Sequence, residues 1–452
     1  AASADRRARR LSAPVGQTPD VGADAQPYAR VAATAPLRVL LGAFGDPGHA
    51  FPMIALGRAL SARGHHVTLQ TWRRWQQHVQ DEGLAFAPAP EYPVFPSGPE
   101  PLDFYEAVVH ATTDTVPLVR QLQPDVVVAD ILTLAPALAA EIAGVRHATL
   151  IPHVHPHGLP EFPIYSLGAR MPRTAAGRAL WRQAQHVVQR GLQRGRVELN
   201  DTRARLGLAP LDHVHGGISR DLALVATFPQ LEYPRPRGGW GPNTHVVGPL
   251  MWEPPARDVP LPGDNPSDRR RSAGAGPGRD APLVLIAPST AQDAQHTMLR
   301  AALRGLADAP VRVLATYNRR LPPRPLRVPD NARVVDWVSY SRTMPHCDLV
   351  VCHAGHGTLV RALSSGCAVV ACPAVGDMNE NAARLDWAGA GVRVPRRFLS
   401  PRVLRLAVER ALGEPATRAR ARELAQWASR HDSGEVAAQL VEQLAHPAHQ
   451  TL

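Results

Sequence analysis

Two strand-length apolar runs frame the segment that most restricts how this chain can fold. Leu349 to Cys352 leads into His353-Ala354-Gly355-His356-Gly357-Thr358. A helical pattern follows, then a second run from Ala368 to Cys372, then the loop Asp377-Met378-Asn379-Glu380-Asn381. Strand, glycine-bearing turn and helix start, in that order, imply a βαβ unit with parallel strands. They also imply an anion site. Glycine lets the backbone approach closely, and the free N–H groups of a first helical turn point at a phosphate. A ligand with a diphosphate at one end and a polyhydroxylated group at the other suits both loops.

The same alternation runs through the rest of the chain. It opens at Leu37 with LRVLLGAF, turns at Gly45-Asp-Pro-Gly48, and continues through a helical pattern (Phe51 to Arg63), a strand (His66 to Thr71), DVVVAD and ATLI. Between Gln230 and Arg279 the composition shifts to Pro, Gly, Arg and Asp. A second series then starts at Pro282 with PLVLIAPST, VRVLATY, ARVVDWV, CDLVVCHAG and CAVVACPA. A chain of 452 residues is long enough for two such domains, each with its own core. The expected organisation is a disordered extension over 1–36, a first domain over 37–230, a linker over 231–281 containing a mobile SDRRRSAGAGPGRD segment, and a second domain over 282–452 closed by helices from Pro401. Open parallel sheets bind ligands beyond the carboxyl ends of their strands, so the chemistry is expected in the cleft between the two halves.

Composition removes several function classes. The net charge of +11 invites a nucleic-acid role, but every basic residue is arginine. Much of the excess lies outside the expected domains, at Arg6, Arg7, Arg9, Arg10 and Arg269 to Arg271, and no nucleic-acid motif is present. No apolar run approaches the roughly 18–20 residues of a membrane span, and the N-terminal stretch has no apolar signal-peptide core, so a cytoplasmic protein is expected. Cys347, Cys352, Cys367 and Cys372 form two CxxxxC pairs. Three of them border or lie in apolar strand runs rather than around tight turns, which predicts buried free thiols and no metal site.

The span from Asp336 to Gly391 also carries a Trp at its start, HAGxGT in its middle and GDMxENAARxxxAGxG at its end. It resembles the donor-binding signature of the family-one nucleotide-sugar glycosyltransferases in their bacterial natural-product version. The resemblance implies an α/β chain of the GT-B fold, with two Rossmann-like, doubly wound domains facing across a cleft and the last helix crossing back onto the first domain. It implies inverting, metal-independent transfer from an NDP-sugar, a co-substrate rather than a cofactor, to a small hydrophobic acceptor. In that family the position of Trp337 stacks the base and the backbone at Val338 pairs with the base edge. His353, Gly355, His356, Gly357 and Thr358 would meet the diphosphate, with Ser289 and Thr290 as a second set of donors. Asp377, with Asn381 in the same loop, would accept from sugar hydroxyls. On their own residues, the alternatives are that Trp337 and His353 are core side chains, which Gly355 and Gly357 oppose for His353, and that Ser289-Thr290 is a structural turn.

Two departures narrow the donor. Met378 stands where relatives commonly have Gln, and a thioether cannot replace an amide's donors and acceptor. Arg361 stands where many have a ribose-binding Glu, and it has no acceptor. Both point to a dTDP-linked deoxysugar.

On the other side of the cleft, GDPGHAFP resembles the family's GxxGHxxP segment. A neutral His49 there can take the proton from an acceptor hydroxyl, and Asp130, at the end of DVVVAD, is in position to orient it. Alone, the pair could be a helix-start residue and a cap. In PHVHPH, a metal would need His153, His155 and His157 to converge, and Pro156 argues against a regular strand. His153 and His155 are therefore expected to line the acceptor pocket. The stretch Glu161 to Leu167, with Phe44, Tyr92, Phe95 and Phe104, would wall a flat polycyclic aglycone. Rival readings are an NDP-sugar epimerase, which needs acidic residues near C2, and a non-catalytic nucleotide-sugar-binding partner, which His49 and Asp130 oppose. GAFGDPGH lacks the spacing of a dinucleotide-binding oxidoreductase. A homodimer stays open.

Overall fold

In the computed structural model, residues 35–92, 104–213, 217–236, 240–241, 243–262, 278, 280–289 and 292–446 are described. The expected N-terminal extension and most of the SDRRRSAGAGPGRD segment fall outside them.

The first half builds a seven-stranded sheet in the order β3-β2-β1-β4-β5-β6-β7. Its strands are β1 (Arg38–Gly42), β2 (His66–Thr71), β3 (Ala85–Pro88), β4 (Val126–Asp130), β5 (His147–Ile151), β6 (Ala223–Val225) and β7 (Thr244–Val246). The second half builds a six-stranded sheet, β10-β9-β8-β11-β12-β13, from β8 (Leu283–Ala287), β9 (Arg312–Thr316), β10 (Ala332–Val335), β11 (Leu349–Cys352), β12 (Ala368–Ala371) and β13 (Gly391–Arg393). Every pairing is parallel. A parallel sheet is covered on both faces, so its central strands read as continuous apolar runs. Val126 to Asp130 and Leu283 to Ala287 are buried throughout. Thr244–Val246, within the stretch expected as a linker, pairs with β6 as an edge strand. Three half-buried residues between Asn243 and Val247 are too few for a periodic signal.

In each sheet the strand order reverses once, between β1 and β4 and between β8 and β11. The helices after these strands are α1 (Pro47–Ala62), α2 (Gln76–Asp81), α3 (Phe104–Leu122), α4 (Leu134–Ile142), α5 (Ala175–Arg205), α6 (Thr297–Gly305), α7 (Tyr340–Thr343), α8 (His356–Ser364), α9 (Asp377–Ala388), α10 (Pro401–Gly413), α11 (Pro415–Arg430) and α12 (Ser433–Ala445). No helix among the described residues is long and apolar enough to cross a membrane. The four cysteines are free and buried, and the Cys347 and Cys367 thiols donate to backbone carbonyls of the second domain.

The halves interlock. Leu424 of α11 belongs to the second core. Ala437, Ala438, Leu440 and Val441 of α12 instead complete the first, against β1, β4 and α1. Between these helices His431 donates from Nε2 to the Val247 carbonyl (3.2 Å), so the returning chain runs beside the outgoing one. The approach is close. Gly248 has φ +91°, and a Cβ there would lie 2.2 Å from Ser433 Oγ.

Glu442 pins α12 to the first domain, accepting from Arg63 Nε (2.6 Å) and His65 Nε2 (2.6 Å). Burial pushes its carboxyl up, but Arg63 and His65 outweigh this and hold it below the usual range. Glu442→Ala strands the buried His65 imidazole and leaves Arg63 with only Glu435, and should destabilise the fold by about 3 kcal/mol. Because the folded pKa is the lower one, this contribution is in place above the unfolded value and fades as pH falls through the folded value. Urea unfolding at neutral and acidic pH checks both points. The gap between parent and variant should be wide at pH 7 and should close in acid.

Candidate active site

β1 ends beside β4, with Gly42 opposite Ala129, so the turn into α1 lies against the end of β4. Gly45 sits in that turn because a Cβ there would overlap the Trp72 ring. Its carbonyl accepts from Trp75 Nε1 (2.7 Å). Asp130, the last residue of β4, is 1 % exposed and needs partners for its charge. It finds two from the β1–α1 turn. His49 donates from Nδ1 to Oδ1 (2.8 Å), and the Phe44 N–H donates to Oδ2 (3.2 Å). With Nδ1 carrying the proton, Nε2 of the neutral imidazole is a free acceptor. Burial alone would lower the His49 pKa. The charge and hydrogen bond of Asp130, helped by Asp46 and Asp377, reverse that and hold it above 6.5.

The loop after β5 places His153 beside this pair, its ring centroid 6.4 Å from that of His49. His153 donates from Nδ1 to the Val154 carbonyl (2.7 Å), with the Tyr165 hydroxyl 3.4 Å away. Burial, and His49 when protonated, lower its pKa below the ordinary histidine value. Phe44 meets His49 edge-on at 6.1 Å. His155 is not part of this group. Its ring packs on His157 and Trp240, and burial drives its pKa down to about 3. Tyr92 donates to Asp114 on α3 and lies tilted against His110, with ring centroids 5.7 Å apart. Phe95 and the Phe104 side chain lie outside the described residues. Tyr165, which the sequence offered only as one of a stretch, is the aromatic that reaches the centre.

In the second sheet Cys352 pairs opposite Ala287, so the loops after β8 and β11 meet at that sheet's own reversal. His353 was expected at the diphosphate, but both its nitrogens are engaged. Nδ1 accepts from the Ser289 N–H (2.9 Å), and Nε2 faces Asp293 Oδ2 (3.4 Å). Burial works against the Asp293 charge, yet His353 and the N–H groups of Thr297 and Met298 hold that carboxyl well below its usual range. His353 thus fastens the two loops together and leaves neither ring nitrogen for a ligand. Thr290 lies outside the described residues. Ala354 is buried at φ +60°, the bend that aims the start of α8. His356, also expected at the donor, is turned into the domain contact. Its Nε2 donates to the Ala226 carbonyl of the first domain (3.3 Å), and burial lowers its pKa to about 3. Gly355, Gly357 and Thr358 remain at the helix start, whose first N–H groups lack intrahelical partners.

Trp337 follows β10 half-buried. The Arg319 guanidinium lies 4.7 Å from its ring centre, and Tyr340 is stacked at 6.4 Å. Val338 buries its side chain, leaving its backbone at the loop. Asp377 and Met378 open α9, and Asn381 donates to the Ala354 carbonyl (3.0 Å), tying that loop to the helix start of α8. The charge of Asp377 is felt at His49, His153 and Tyr165. A Cβ on Gly168 of the first domain would lie 2.8 Å from the Asn379 carbonyl of α9, so the two loop sets face one another.

Arg361 is engaged elsewhere. It donates to the Trp252 carbonyl (3.1 Å) and pairs with Glu253 (3.7 Å). Glu253 in turn accepts from Ser339 Oγ (2.7 Å) and from the N–H groups of Tyr340 (3.2 Å) and Ser341 (3.0 Å). Trp252, one residue earlier, donates from Nε1 to Glu82 of the first domain (2.6 Å).

Residues 300–443 match the family described as erythromycin biosynthesis protein CIII-like, C-terminal domain. The chain is 28 % identical over 435 residues to 4'-demethylrebeccamycin synthase of Lentzea aerocolonigenes, covering 90 % of this chain and 99 % of that protein. It is 27 % identical to O-mycaminosyltylonolide 6-deoxyallosyltransferase of Streptomyces fradiae, covering 90 % and 98 %. Among solved structures, the glycotransferase of kitacinnamycin superposes with a TM-score of 0.70 at 20 % identity, covering 91 % of this chain and all of that one. The glycosyltransferase VinC in complex with dTDP gives 0.65 at 20 %, with the same coverage. The fold is GT-B.

Asp130→Asn keeps the shape of the carboxylate and removes its charge. The His49 imidazole should then titrate at lower pH than in the parent protein, because burial meets less opposition. NMR titration of the imidazole carbons reads this directly, and an unmoved midpoint would show that Asp130 does not set it.

Proposed function

We propose that this glycosyltransferase of the GT-B fold passes a deoxysugar, with inversion, from a dTDP-linked donor to a hydrophobic natural-product aglycone such as an aromatic polyketide. The observation that carries the reading is the convergence of a carboxylate-held imidazole, His49 on Asp130 at the reversal of the first sheet, with the start of α8 at the reversal of the second and the Asp377 loop that Asn381 ties to it.

In this reading the acceptor hydroxyl lies against His49 Nε2 and gives up its proton as its oxygen attacks the anomeric carbon. Attack comes from the face opposite the diphosphate, so the anomeric centre inverts. Asp130 steadies the imidazolium that forms. The departing diphosphate gains negative charge, which the first-turn N–H groups of α8 and the Thr358 hydroxyl receive. Trp337 stacks the base, and Asp377 accepts from sugar hydroxyls. His153, neutral and with its Nδ1 proton committed to Val154, accepts at Nε2 from a substrate hydroxyl, while Phe44 and Tyr165 pack on the aglycone.

Three points support a dTDP-deoxysugar. Met378 offers no amide to the hexose. Arg361 faces Glu253 and the Trp252 carbonyl, and the Glu253 carboxylate is itself occupied by Ser339, Tyr340 and Ser341, so the position of Arg361 offers no carboxylate to a ribose 2′-hydroxyl. One relative's name specifies a 6-deoxyallosyl group, and one fold neighbour holds dTDP.

His49→Ala should lower turnover by about 10²–10⁴-fold while dTDP affinity stays within about twofold. Near-normal turnover would remove His49 from the base role. Since only neutral His49 can accept the proton and its pKa is raised, kcat/KM should climb with pH through a midpoint above 6.5. Product masses from a panel of UDP- and dTDP-sugars with aromatic aglycones test the donor. Faster turnover of UDP-glucose than of every dTDP-deoxysugar offered would refute that part.

A further inference from the structure

Two residues of the ENAAR segment, Glu380 and Arg384, have no part in the roles above, yet they hold charges deeply buried between the domains. They lie one turn apart on α9. Arg384 donates from Nε to Glu380 (2.8 Å) and from Nη1 to Glu232 of the first domain (2.8 Å) and to the Leu231 carbonyl (3.3 Å). Its guanidinium carbon lies 3.7 Å from the centre of the Tyr233 ring. The side chains of Arg384, Glu232 and Glu380 are only 3 %, 4 % and 2 % exposed.

Each end of this network leads to a reacting loop. The other oxygen of Glu232 accepts the His155 N–H (2.6 Å), two residues from His153, whose ring stands beside His49. Glu380 is three residues from Asp377 and next to Asn381, which holds the Ala354 carbonyl at the head of α8. One guanidinium therefore spans from the loop that carries the donor to the loop that meets the acceptor. Packing alone does not explain it. Two carboxylates and a cation taken out of water stabilise less than apolar side chains of the same volume would. What the planar fork supplies is a single permitted geometry, because its donors reach both carboxylates only in one orientation. Burial pushes the Glu380 pKa up despite Arg384 and the Ser166 N–H.

We propose that Arg384 is a positioning residue that holds the Asp377 loop and the His153 loop at one fixed separation, so that the activated sugar meets the acceptor hydroxyl rather than water. The role rests on the glycosyltransferase reading. The spacing itself does not.

The test uses the full chain with Arg384→Met, Arg384→Lys and Glu232→Gln. With a dTDP-sugar and an accepted aglycone, both Arg384 variants should lose tenfold or more in kcat. They should raise the fraction of donor lost to hydrolysis severalfold and leave dTDP affinity within twofold. Glu232→Gln, which keeps a hydrogen bond, should fall between these and the parent. Parent-like kcat and parent-like partition between transfer and hydrolysis in Arg384→Met would overturn the proposal, even if its melting temperature fell. A second readout is independent of turnover. All four native thiols are buried, so probes can be placed selectively through Arg120→Cys on α3 and Leu406→Cys on α10. The label-to-label distance distribution with dTDP bound should be narrow in the parent and broad in Arg384→Met and Arg384→Lys. An equally narrow distribution in both would overturn the clamp. If the parent bound dTDP but transferred no sugar to any acceptor, the functional reading would fail, and the distances alone would decide the clamp.

Discussion

Where β1 lies beside β4, the connections on either side leave toward opposite faces of the sheet, and neither helix can fill the crevice between them. The same holds at β8 and β11. Each crevice exposes strand-end backbone and whatever side chains the first turn beyond supplies. In the first sheet the answer is a buried carboxylate, Asp130, which recruits His49 and the Phe44 N–H. In the second it is an imidazole, His353, which recruits the Ser289 N–H and Asp293. The chemistry is reversed but the logic is shared. A polar group that the fold buries must be satisfied from the neighbouring loop, and satisfying it fixes the loop.

This explains why the strands and the general location of the site were legible in the sequence while several individual roles were not. Continuous apolar runs mark strands covered on both faces, and the glycine turn after Cys352 marks a helix start. Both are local facts. The partners of His353, His356 and Arg361 are not local. His356 meets a carbonyl 130 residues away, and Arg361 meets one 109 residues away. Nothing in HAGHGT reveals that its first histidine fastens two loops while its second faces the other domain. His153 and His155 divide for a related reason. They are two residues apart on an irregular loop, one beside His49 and the other beside Trp240. β7 escaped notice because three residues show no period.

The absence of lysine also has structural meaning. Apart from a protonated histidine, every buried cation must be a guanidinium, and the chain uses its fork repeatedly. Arg203 meets both oxygens of Glu141, and Arg384 bridges two carboxylates at once. An ammonium could serve neither geometry as well. A compositional habit that inflates the net charge therefore also supplies the bidentate contacts on which the interior depends.

Trp252 and Glu253 are neighbours in the chain but belong to different halves of the molecule. The first is held by Glu82, the second by Ser339, Tyr340 and Ser341. All the slack at this crossing is the pair of torsions around one peptide unit. The return crossing at His431 runs alongside, bonded to Val247. The outgoing and returning connections therefore cross side by side. The halves are fastened here by the chain itself, and elsewhere by the buried Arg384–Glu232 and His356–Ala226 contacts.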